Sequence, residues 1–342
     1  MKELLLINPI ISYTPTIDFF LSILESHNLN TRSWIFENYI DLVINADSNG
    51  PVFEFLDVFK VWWNCPFIHT SRIHRDAFMI MANNQLSKDI ENFIDKEYYV
   101  SSLVDTFYID KYPAYENEHI YHQLMIYGYD GINFLCSDYI GSIRKKFLVE
   151  YAQMEFALKS VPDMNDYLQG ILLYRKLPIN KTGLIEIDFL LYRSEYVFDF
   201  ELTMMKIKNF LYGNQNVLLG IPNLFSPSNN FVAGFPAIEE FSTQISGNNP
   251  DNPYLILKYF HLIYSHVFLM CERFKFINEN RHNFKKYYHS CMMVLKKALT
   301  LRNVVTKMNL YSRYDIAKIA QFLSEFIKDY RYLLKDVVER QT

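Results

Sequence analysis

Apolar positions recur at three- and four-residue steps through the last third of the chain, the period of a helix that buries one face. Residues 236–246, 253–277, 282–307 and 312–338 read as four helices on this count. Ile316, Ile319, Phe322, Leu323 and Phe326 trace the apolar stripe of the last. Helices of this kind joined by short connections predict an antiparallel bundle. Upstream, residues 201–212 read as a helix stopped by Gly213, and alternation over 183–192 and 195–200 predicts a strand pair. Residues 223–234 form a polar, Pro-containing stretch, long enough to border a site.

The first half mixes periods. Residues 1–12 read as a short strand or extended segment, followed by a helix capped by Thr16 or Asp18 and running to Leu24. Residues 34–44 predict a second helix, 45–51 a turn, and 52–63 an aromatic segment ending in a loop at Cys65-Pro66. Helices are expected over 76–81 and 87–93. Three strands follow at 98–104, 123–127 and 132–136, then one amphipathic helix within 141–160 carrying Phe147, Tyr151, Met154 and Leu158. The expected architecture is α+β, with a sheet-bearing domain over 1–150 and a mainly helical part over 151–342. One continuous domain with a helical half is the alternative.

Composition narrows the function classes. Half of the 342 residues are apolar and 17% are Phe, Tyr or Trp, so a sizeable core is assured. The net charge is −4 with both signs dispersed, which argues against nucleic acid as a partner. Cysteines stand far apart at 65, 136, 271 and 291, giving no zinc signature and little reason to expect disulfides. His261 and His266 fall off the helical ligand spacing, so no metal is expected. The opening apolar run is too short for a signal peptide, and no window has the roughly 18 apolar residues of a membrane span. A cytoplasmic, membrane-free protein is the expectation.

The chemistry concentrates in one hairpin. His122 opens the strand that ends at Tyr127, Tyr129-Asp130-Gly131 makes the turn, and Asp138 follows the returning strand. A hairpin brings its two ends together, so an imidazole and a carboxylate far apart in sequence meet at one sheet edge. Such a carboxylate fixes a catalytic histidine's tautomer and orientation. His119 and Tyr127 are candidate substrate contacts, weighed against a loop residue and a core aromatic. The alternative for Asp138 is a turn or cap aspartate.

This segment resembles the His-to-Asp hairpin of papain-like cysteine peptidases, particularly those acting on bacteriocin leaders. More narrowly, Tyr98-Tyr99-Val100, residues 105–109, Tyr112-Pro113-Ala114-Tyr115, His119, His122 and Ile126–Asp130 resemble the N-terminal domain of the butirosin-biosynthesis acyltransferase family (the BtrH-like proteins). The likeness extends weakly through Gly234–Glu240. It implies a cysteine-peptidase fold used for acyl or aminoacyl transfer. The donor implied is the phosphopantetheine thioester of an acyl or peptidyl carrier protein, the acceptor a small amine, and no resident cofactor is involved. In such folds the first helix carries the nucleophilic cysteine at its N-terminus, where the helix dipole lowers the thiol pKa. Here Ser12, Thr14 and Thr16 stand in that neighbourhood instead. Thr14 or Thr16 is then a candidate nucleophile, with Asn8 as an oxyanion donor. Cys65, which precedes His122 in chain order, is the candidate thiol, against the commoner fate of a small buried hydrophobe. A catalytically silent relative that docks a carrier protein or serves as a scaffold is the second reading.

Overall fold

The computed structural model describes residues 1–27, 30–45, 52–55, 65–82, 85–141, 143–162, 170–177, 184–187, 190–193, 196–213, 231–247, 253–281, 283–311 and 315–341. The chain divides into two compact units, each discontinuous in sequence. One is Met1–Thr31 with Trp62–Glu195, the other Arg32–Val61 with Tyr196–Thr342. This differs from the contiguous division at residue 150 read from the sequence. The expected turn at 45–51 falls mostly outside the described residues, as does most of the 223–234 loop.

The first unit is built on a seven-stranded antiparallel sheet. Its strands are β1 (Lys2–Glu3), β4 (Ile68–Ile73), β5 (Tyr98–Asp105), β6 (Tyr121–Tyr129), β7 (Asn133–Ile140), β8 (Ile143–Glu150) and β9 (Ile171–Lys176). The order is β4-β9-β5-β6-β7-β8, and β1 joins β6 at Gly128 and Tyr129, beyond the point where the β5 ladder stops at Ile126. Helices α1 (Pro15–Glu25), α3 (Arg75–Ala82), α4 (Leu86–Asp95) and α5 (Tyr151–Lys159) belong to this unit, with a hairpin of β10 (Leu184–Ile187) and β11 (Leu190–Arg193). α1 is inserted deeply: Ile17, Phe19, Phe20, Leu21, Ile23 and Leu24 are all fully buried.

Two sequence expectations change here, and two strands are added to them. The helix expected within 141–160 is a strand followed by a helix. Gly141, at φ +66°, turns the chain so that Ile140 pairs with Ile143, and the helix starts only at Tyr151. The four-residue step from Phe147 to Tyr151 spans that junction and imitates a helix. β4 and β9, which pair with each other through six residues, had no counterpart in the reading. The strand pair expected up to residue 200 ends at Arg193, and Phe200 opens a helix.

The second unit holds a small antiparallel sheet, β12 (Phe231–Ala233), β2 (Leu42–Asn45) and β3 (Val52–Phe55), in the order β12-β2-β3. Its helices are α2 (Arg32–Asn38), α6 (Phe200–Tyr212), α7 (Phe235–Gly247), α8 (Pro253–Arg281), α9 (Lys285–Leu310) and α10 (Ile316–Gln341). The helix expected over 34–44 therefore stops at Asn38. Leu42, Val43 and Ile44 form a central strand buried on both faces, and such a strand shows no alternation to distinguish it from a helix. The long helices expected from Pro236 onward are present. α9 and α10 run antiparallel: Tyr287 meets the Asp336 carbonyl near one end, and Lys297 pairs with Asp329 further along.

Candidate functional site

The β6–β7 hairpin is fixed by its turn. The Asp130 carboxylate accepts the amides of Ile132 (3.0 Å) and Asn133 (2.7 Å) and the Asn133 side-chain amide (3.0 Å), a side-chain mimic of a backbone turn. A bulge between Ile126 and Gly128 resets the register. His122 Nδ1 then lies 2.6 Å from Asp138 Oδ2. The Asp138 side chain is fully buried, and that of His122 is 35% exposed.

Two further groups hold Asp138. The Tyr139 amide donates to Oδ1 at 2.6 Å. The Tyr112 hydroxyl donates to Oδ2, the same oxygen that His122 uses. Tyr112 reaches it from the turn between β5 and β6, where its amide bonds the Ile109 carbonyl (3.1 Å) and its ring stands edge-on to Phe147 at 5.9 Å. Burial pulls the imidazole pKa of His122 down, but the hydrogen bond and negative charge of Asp138 outweigh it, and the net shift is upward. Burial raises the Asp138 carboxyl pKa against the opposing bonds from His122 and Tyr112. The Tyr112 hydroxyl is pushed well above its ordinary value by burial and by Asp138, so it stays a donor. With Nδ1–H facing the carboxylate, the Nε2 lone pair is the available base, and no hydrogen bond engages it among the described residues.

Side-chain alternation decides what this pair can reach. Gln123, next to His122, accepts a hydrogen bond from Thr16 of α1. Tyr139, next to Asp138, bonds Asp18 and Ser12 at the start of α1. Arg144 on β8 donates to Ser22 of α1 (2.5 Å) and to Ser137 (3.1 Å). All of these lie on the sheet face that α1 covers. His122, Asp138 and Tyr112 lie on the opposite face. The first helix therefore does not present its N-terminus to His122, and the Thr16 hydroxyl is spent on Gln123. Thr14 is the N-cap of α1, with no side-chain capping bond, on that same far side. Asn8 is exposed in the segment before it.

Cys65 is equally remote. It precedes β4, three strands from β6. The start of β4 aligns through β9 with the Tyr98 end of β5, whereas His122 faces Val104. The six residues between alone span roughly 20 Å. Its thiol is buried and pushed up to about 12 by that burial, which removes the thiolate a nucleophile needs. Cys136 shares the His122 face but is fully buried, with its thiol raised well above the ordinary value by burial and by Asp138. Tyr127 is a core residue 3% exposed, with Lys146 over its ring, and has no surface to offer a substrate.

His119 is better placed than its loop position implied. Its Nδ1 lies 2.6 Å from Asp105 Oδ2, and its ring stacks on Phe107 at 4.3 Å. Asp105 also accepts the Phe107 amide at 3.1 Å, so one carboxylate shapes the turn and orients the histidine. A second His–Asp pair thus lies three residues from the first. Tyr112 and Asp105 were not among the sequence candidates as site residues. A carboxylate at a strand end, before Thr-Phe-Tyr and a nearby histidine, is the signal that points to Asp105. Among the described residues no cluster of His, Cys, Asp and Glu suits a metal ion, and no helix is long and apolar enough to cross a membrane.

No known protein-family model matches this chain, and no curated protein is significantly similar to it.

Proposed function

We propose that this protein catalyses acyl transfer from a thioester to an amine, with His122 as general base. The observation that carries the reading is the 2.6 Å His122–Asp138 bond with Nε2 left open. In the proposed step Nε2 takes a proton from the acceptor as its nitrogen attacks the thioester carbonyl. The carbon–sulfur bond breaks, and the departing thiolate recovers that proton from the imidazolium. Base catalysis of this kind contributes about 10²–10⁴-fold. Because the α1 hydroxyls and Cys65 lie away from His122, the transfer is read as direct, with no acyl group held on this chain. The donor class, a phosphopantetheine thioester on an acyl or peptidyl carrier protein, rests on the BtrH-like resemblance. So does a papain-like origin for the first unit. α1 against an antiparallel sheet and the His-then-Asp hairpin fit that origin, while the orientation of His122 away from α1 departs from it.

A second reading is a silent relative that docks a carrier protein. It is favoured by one observation: Thr14, Thr16 and Cys65, the candidate nucleophiles, all lie away from His122. The test is incubation with an acetyl-loaded acyl carrier protein and a primary amine. Amine-dependent thiol release, lost by about 10²-fold or more in His122→Ala, with no mass added to the chain, supports direct transfer. A covalent adduct that disappears in His122→Ala overturns the direct route. Carrier binding without thiol release, unchanged in His122→Ala, selects the docking reading.

A further inference from the structure

In the second unit, α8 and α9 lie side by side and antiparallel. Phe274 packs on Phe284 and Tyr287 near one end, and Arg302 covers the Tyr264 ring at 4.4 Å further along. Between these contacts Cys271 of α8 meets Cys291 of α9. Their sulfurs are 2.7 Å apart, and both residues are fully buried. A disulfide bond is about 2.05 Å long, so the pair stands close to bonding geometry with the helices already in place. Wide separation in sequence argued against any disulfide; the antiparallel packing of two long helices removes that objection for this pair.

We infer that Cys271 and Cys291 are an oxidation site and form a disulfide bridging α8 and α9 when the chain meets a small-molecule disulfide such as oxidised glutathione. One cysteine thiolate attacks a glutathione sulfur, and one glutathione thiol leaves. The second cysteine attacks the protein-side sulfur of the mixed disulfide, and the second glutathione leaves. The two protein thiols lose two electrons and two protons, and the oxidant becomes two thiols. Burial, and the neighbouring Cys271, raise the Cys291 thiol well above its ordinary value. The exchange is therefore slow in the closed bundle and fast while the chain is open. Once made, the bond closes the 20-residue separation between the two positions and restricts the unfolded chain.

The test uses the full chain, unfolded in urea and refolded in a glutathione redox buffer or in dithiothreitol, then alkylated under denaturing conditions and digested. Before alkylation the oxidised product is expected to be about 2 Da lighter than the reduced chain, the mass of the two hydrogens lost. It carries a linked peptide pair containing Cys271 and Cys291, keeps Cys65 and Cys136 alkylatable, and unfolds at higher urea than the reduced chain. The double variant Cys65→Ser/Cys136→Ser keeps the link. Four alkylated thiols after oxidative refolding overturn the inference, and so do links spread over all four cysteines. The wild-type chain alone decides between these outcomes.

Discussion

Tyr112 and His122 donate to the same oxygen of Asp138. One comes from a turn and the other from a strand, and neither position is set by the other's sequence neighbourhood. The shared oxygen makes the tyrosine a positioning residue: it holds the carboxylate that holds the imidazole.

Tyr112→Phe removes one donor from a buried carboxylate while preserving the ring against Phe147. A hydrogen bond to a charged group contributes about 1.5–3 kcal/mol, so urea unfolding of this variant is expected to show a loss of that order. Asp138 keeps His122 and the Tyr139 amide, and the variant should still fold. An unchanged unfolding midpoint would show that Asp138 does not depend on the tyrosine.

Gly128 is the point where β1 closes on β6. A Cβ there would stand 2.5 Å from the Lys2 carbonyl oxygen and 3.1 Å from the Glu3 Cα. Both are backbone atoms that cannot swing aside. Gly128→Ala is expected to displace β1 and its Leu4 amide bond to the Tyr127 carbonyl (2.8 Å), destabilising the protein by about 1–3 kcal/mol. Hydrogen exchange should locate the loss at the Leu4 amide. Protection there equal to wild type would mean that β1 stays paired with β6 and that the added methyl is accommodated without displacing it.

The division between what was and was not legible in the sequence follows from what a linear pattern encodes. The His122–Asp138 contact was legible because a hairpin with an Asp-Gly turn converts sequence spacing into a spatial pairing. The long C-terminal helices were legible because their apolar residues recur at three- and four-residue steps, most clearly in α10, where Ile319, Leu323, Phe326 and Tyr330 line one buried face. β2 was not, since a strand buried on both sides loses its period. The orientation of the site was not either. Alternation states that His122 and Gln123 point oppositely, but only the packing of α1 onto the Gln123 side tells which of the two faces the first helix. Tyr112 escaped notice for a related reason, since a turn residue carries no periodicity that says where its hydroxyl ends.

His266 on α8 offers a test in the second unit. Its Nε2 donates to the Ile40 carbonyl at 2.7 Å, and Nδ1 accepts from the Tyr330 hydroxyl at 3.1 Å. Burial lowers its pKa to about 3, against the raising effect of the Ile40 bond. The unfolded chain takes up this proton near 6.5, while the folded chain refuses it down to about 3. Stability present above pH 6.5 is therefore lost progressively as pH falls, on the order of a few kcal/mol over the full window. Between pH 6.5 and 5, above most carboxylate titrations, the urea midpoint of the wild type should fall, and that of His266→Gln should fall less. Parallel slopes for the two proteins would remove His266 as the cause.

The pH behaviour of His122 connects the fold to the proposed chemistry. Burial lowers its pKa, but the bond and charge of Asp138 prevail, so the folded value lies above the ordinary 6.5. A raised histidine contributes stability that is fully present below pH 6.5 and is lost as pH rises through the folded value. The proposed reaction runs in the opposite sense, because Nε2 accepts a proton only after the ring is neutral. Thioester turnover should therefore climb with pH across the window in which this stabilisation fades. In Asp138→Asn the charge is gone and burial remains, so the ring should titrate below the ordinary imidazole value. The acid limb of the rate profile should move to lower pH while its plateau drops. Ring-resonance titration by NMR, with His122→Gln to assign the signal, measures the first effect, and initial rates of thiol release measure the second. If the imidazole signal in Asp138→Asn titrates where the wild type does, the carboxylate is not what tunes His122. A rate profile that shifts without the imidazole would place the titrating base elsewhere.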